Sequence, residues 1–101
     1  MQIGPGATGS GGFLTNTLYA SATLDFASQT VGSFEDLPIT VAGAADGDVV
    51  SLGVPQGSAT GIVGSYSAYP SNGVVYVRFV STGTAQNPAS GSFKVRVDKF
   101  Q

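Results

Sequence analysis

This sequence predicts an all-β fold: an antiparallel β-sandwich, Ig-like or jelly-roll-like, with six to eight short strands and no significant helix. Three observations carry that expectation. From Phe13 onward the apolar residues recur with period two. The apolar runs are short and separated by glycine-marked turns. No segment repeats its apolar residues at helical spacing. A small barrel shares these signals and is the alternative. At 101 residues the chain is one domain, divided into a glycine-rich arm, residues 1–12, and a sandwich, residues 13–101.

The arm, "MQIGPGATGSGG", buries too little apolar surface to offset its chain entropy and is expected to be mobile until a partner holds it. It spells G-x-G-x-x-G from Gly4 to Gly9, but a dinucleotide site needs a strand before the motif and a helix after it, and neither pattern is present. "LYASATLDF" then puts Leu18, Ala20, Ala22, Leu24 and Phe26 on one face. "LPITVAG" aligns Leu37, Ile39 and Val41, with Pro38 suited to a strand start or edge. "DVVSLGVP" aligns Val50, Leu52 and Val54, and "GIVGSYSAY" gives a weaker strand through Ile62, Gly64, Tyr66 and Ala68. Asn72-Gly73 is a hairpin signal that pairs this strand with "VVYVRFV", in which Val75, Val77 and Phe79 point inward. "SFKVRVDKF" closes the set, with Phe93, Val95 and Val97 inward and Lys94, Arg96 and Asp98 outward. The resulting core is expected to hold no charge.

Composition removes several function classes. There is no cysteine and no histidine, so the common nucleophile–base pairs and thiolate metal sites are excluded. A net charge of −2 provides no electrostatic footprint for nucleic acid, and no apolar run is long enough for a membrane-spanning helix. Charge is split along the chain. Residues 1–77 hold five acids and no cation, and residues 78–101 hold four cations and one acid. Pairing within the domain is the simpler use of that split, and pairing between subunits the other. Only 10% of residues are charged, a surface poorly defended against association.

Two pairs of carboxylates stand out. Glu35 and Asp36 are adjacent, so an extended chain turns them to opposite faces. Asp46-Gly47-Asp48 lies between two strand patterns and reads as a corner, the glycine supplying φ freedom and the aspartates bonding nearby backbone. Neither pair reads as a catalytic or metal site, and no cofactor is implied. The tyrosines offer apolar faces with polar tips. Tyr19 and Tyr76 are expected at an interface, and Tyr66 and Tyr69 are the alternative contacts for a glycan.

"ATLDFASQTVGSFEDLPITVAGAADGDVVSLGVP" and "VYVRFVSTGTAQNPASGSFKVRV" together resemble a small β-domain common in bacteriophage virion proteins. The resemblance spans roughly Ala22 to Val97, and its motifs are turns and core faces rather than chemistry. It implies a non-enzymatic structural protein. With only a short arm ahead of the domain, a capsid decoration (cement) protein is expected, binding the major capsid protein on the outer head and bridging capsomers. Ile3 and Phe13 would anchor the arm, and a trimer or dimer is compatible with the role. The alternative is an adhesive module of a tail fibre or spike that binds host-surface polysaccharide.

Overall fold

The structure, a computed structural model, describes residues 14–100, and side chains from residue 16. Six strands form: β1 (Leu14–Leu24), β2 (Phe34–Thr40), β3 (Val49–Gly53), β4 (Gly64–Ser71), β5 (Val74–Ser81) and β6 (Gly91–Phe100). They build two antiparallel three-stranded sheets, ordered β1-β6-β3 and β2-β5-β4. The fold is all-β and sandwich-like, as the periodicity predicts.

Every strand turns one parity of residue toward the other sheet. Leu24, Phe26, Ile39, Val41, Val75, Val77, Phe79, Phe93, Val95 and Val97 are buried together, with Leu18, Ala20, Ala22, Leu37, Val50, Leu52, Ile62, Tyr66 and Ala68 packed against them. These are the inward positions expected from the sequence, and burying them is the main favourable term in folding. Four rings occupy one end of the core: Phe26, Tyr66, Phe79 and Phe93, with centroids 5.1 to 6.0 Å apart.

The β4–β5 hairpin is the one connection that stays within a sheet. Ser71 faces Val74 across its two-residue loop. Gly73 has φ +79 and Asn72 does not have positive φ, so the loop uses positive φ only at its second residue.

Two expectations need correction. Val54 is 36% exposed, because β3 stops at Gly53 and Pro55 diverts the chain into a single helical turn, α1 (Gln56–Ala59). That turn is small but positioned: Ser58 is fully buried, its hydroxyl donates to the Ala89 carbonyl at 2.6 Å, and its own carbonyl accepts from the Tyr66 hydroxyl at 2.7 Å. Asp98 keeps the outward parity yet is only 9% exposed. It lies on the central strand between Thr17 and Val49, accepts from the Thr17 hydroxyl at 3.3 Å, and pairs with Arg96 at 3.3 Å. A charge on a central strand is screened by neighbours on both sides even when it points away from the core.

Candidate functional site

The Asp46–Asp48 segment is a corner. Gly47 has φ +90, the Ala45 N–H donates to Asp48 Oδ2 at 2.9 Å, and the Asp48 N–H donates to the Ala45 carbonyl at 3.1 Å. Lys99 clamps it from the last strand, donating to Asp48 Oδ2 at 2.5 Å and to the Gly43 carbonyl at 3.0 Å. Glu35 accepts from the Ala27 N–H at 2.8 Å while Asp36 faces the opposite way, as adjacency requires.

A more organised arrangement stands on the outer face of β2-β5-β4. Inward Val77 and Phe79 leave Tyr76, Arg78 and Val80 of β5 pointing out. The register sets Asp36 of β2 and Ser67 of β4 on either side of Arg78, and Pro38 and Tyr69 on either side of Tyr76. Arg78 grips Asp36 with two nitrogens, Nε to Oδ1 at 2.7 Å and Nη2 to Oδ2 at 3.0 Å. The Tyr69 hydroxyl adds a third bond, 2.7 Å to Asp36 Oδ2. The guanidinium carbon lies 4.3 Å from the centre of the Phe34 ring and 5.5 Å from that of Tyr69. Tyr69 stacks on Tyr76 at 5.5 Å with a 28° interplanar angle. Phe34 is 53% and Tyr69 39% exposed, so the platform is both fixed and open to solvent.

Its electrostatics favour binding over proton transfer. The hydrogen bond from Arg78 holds the Asp36 carboxyl below the usual carboxylate range, and Tyr69 assists against a smaller desolvation effect. The same bond to Asp36 pushes the Tyr69 phenol up, with burial adding to it. At neutral pH the pair stays ionised Asp and protonated Tyr. Lys99 likewise lowers Asp48.

These shifts have a measurable consequence. Carboxylates whose folded pKa is depressed contribute stability above their unfolded pKa, about 4, and lose it as pH falls through the folded value. Tyr69, and Tyr66 pushed up by burial, contribute below about pH 10 and lose that contribution above it. The melting temperature should therefore be flat from about pH 5 to 9 and fall at both ends. Asp36→Asn should shrink the acid limb; an unchanged acid limb in an Asp36→Asn/Asp48→Asn double variant would remove these residues as its cause.

The interface and glycan residues expected from the sequence do not form one surface. Tyr76 belongs to the platform, whereas Tyr19 is 75% exposed on the outer face of the other sheet, opposite Arg96. There Tyr19, Ser51, Gly53, Lys94 and Arg96 line a shallow depression of about 290 Å³. Tyr69 is on the platform, but Tyr66 is inside the aromatic cluster with its hydroxyl on Ser58, so it is not placed for glycan contact. Ile3 and Phe13 lie outside the described residues. Sequence reading missed Phe34, Asp36, Pro38 and Arg78 as a group. The alternation in "FEDLPIT" could have turned Phe34, Asp36 and Pro38 to one face, but only the β2–β5 pairing reveals Arg78 beside them.

No known family, curated protein or solved structure matches this chain.

Proposed function

We propose that this chain is a non-enzymatic structural protein of a phage virion, a decoration protein that attaches to the outer head through the exposed face of β2-β5-β4. The observation that carries the reading is the platform around Asp36. Aromatic and arginine side chains held in place before contact lose little entropy on binding, and this composition is typical of residues that dominate protein–protein affinity. The motif resemblance supplies the virion context, and capsid symmetry would multiply modest contacts into stable attachment. The partner is the major capsid protein.

The Tyr69–Tyr76 stack favours a second reading, an adhesive module for host polysaccharide, since stacked rings flanked along β4 by Ser67 and Ser71 suit a sugar face. One set of variants separates the two. Under the first reading Phe34→Ala and Tyr69→Ala each weaken binding to undecorated heads by about 30-fold, a hot-spot effect of about 2 kcal/mol, with melting little changed. Under the second, heads bind the variants normally and a glycan array loses its signal with Tyr69→Ala. Copy number per purified particle, measured against the major capsid protein, gives the independent check: near parity for decoration, a handful for a tail adhesin, and none if the virion assignment is wrong.

A further inference from the structure

We propose that β1 is a pairing edge through which two copies of this chain associate, antiparallel, in a register centred on Tyr19. The inference rests on the edges of the two sheets and not on the virion reading. Each sheet leaves two edge strands, and such edges are usually blunted by charge, proline, bulges or shortness. Three of the four are. β2 carries Glu35, Asp36 and mid-strand Pro38; β4 begins at Gly64 and carries Pro70 just before its last residue; β3 is only five residues long and is followed, after Val54, by Pro55.

β1 has none of these devices beyond one register shift at its very start, between Leu14 and Asn16. It is the longest strand, eleven residues from Leu14 to Leu24, without charge, proline or glycine. Its only strand partner among the described residues is β6. Every second residue along it therefore directs a backbone N–H and C=O away from the sheet. The Thr17 N–H donates to the side chain of its neighbour Asn16, at 2.9 Å.

The occupant is a second copy because the strand is complementary to itself. Tyr19 is the middle of the eleven residues, so an antiparallel pair centred there overlaps along the full strand. That register sets Tyr19 against Tyr19 of the partner subunit, and Thr17 against Ser21 of the partner subunit. Aromatic pairs and hydroxyl pairs are favoured across strands. A two-fold axis places every residue near its own copy or its mirror position, so any central charge would repel its equivalent; β1 has none. The axis runs perpendicular to the sheet, joining the two three-stranded sheets into one of six strands. Both β2-β5-β4 platforms then face the same side, and the dimer is bivalent toward one surface.

Sedimentation of the full chain over a wide concentration range is expected to show a dimer that dissociates on dilution. Tyr19→Lys, at an exposed position, should leave the chain folded and raise the dissociation constant at least tenfold. The chain has no cysteine, so Tyr19→Cys gives a direct geometric readout. Directly opposed residues on antiparallel strands have Cα atoms about 4.5–5.5 Å apart, within disulfide reach. Mild oxidation should therefore convert Tyr19→Cys to covalent dimer faster than Ser67→Cys on the platform. A monomer at every concentration, a dimer indifferent to Tyr19→Lys, or faster cross-linking of Ser67→Cys would each overturn the proposal, the last by moving the interface to the other sheet.

Discussion

Phe26→Ala is expected to remove about 3–5 kcal/mol of folding stability, the range for deleting a buried phenylalanine. Phe26 lies just beyond the end of β1 and is 1% exposed. Its ring touches three others, with centroids 5.8 Å from Tyr66, 6.0 Å from Phe79 and 5.8 Å from Phe93. Those rings come from β4, β5 and β6, so the residue joins both sheets, and its removal leaves a void that three strands would have to move to fill. A domain of this size is stable by about 5–15 kcal/mol in total. The variant should melt on the order of 15–30 °C lower, or fail to fold. Phe34→Ala, in the same assay, removes an exposed ring and should change stability by less than about 1 kcal/mol. Equal losses for the two would mean that the four-ring cluster is not the packed centre of that end of the core.

Gly64→Ala should be the most damaging glycine-to-alanine change among the described residues. A Cβ there would run into the Val80 carbonyl oxygen and sit 2.8 Å from the Phe79 ring. The first of these belongs to the backbone of the paired central strand and cannot swing aside. Relief requires β4 to lift from β5 or Phe79 to leave its site in the aromatic cluster. Overpacking of this kind costs about 1–3 kcal/mol, and the backbone contact puts this site at the upper end. Gly57 in α1 is the control, because nothing lies within 4 Å of its added Cβ. Gly57→Ala should be neutral or stabilise by up to about 1 kcal/mol through reduced unfolded-state entropy. Urea unfolding of the two variants side by side distinguishes crowding from a general intolerance of alanine.

The legible part of this fold is the part that period-two alternation encodes. "VVYVRFV" and "SFKVRVDKF" declare their inward residues because each strand contacts the core on one face, and a one-residue slip would turn all of them to solvent. The Asn72-Gly73 hairpin and the Asp46–Asp48 corner were readable for a related reason: turns are local, set by residues next to one another. Tyr66 and Tyr69 show where a residue-type argument misleads. Tyrosine chemistry offers both as glycan contacts, but the period-two pattern of the same strand turns Tyr66 inward with Ile62 and Ala68, and that is where it lies.

The strand class, the inward faces and the two tight turns are written locally, all consequences of neighbours along the chain. Tertiary structure alone decided that β6 runs between β1 and β3, that β5 runs between β2 and β4, and that Tyr19 and Tyr76 face opposite ways. It also assembled the platform, since Asp36 and Arg78 are 42 residues apart and meet only through the β2–β5 register. The reason is physical. Alternation states which face of a strand is apolar but carries no label for its neighbour, and that choice is made by how two whole sheets pack together.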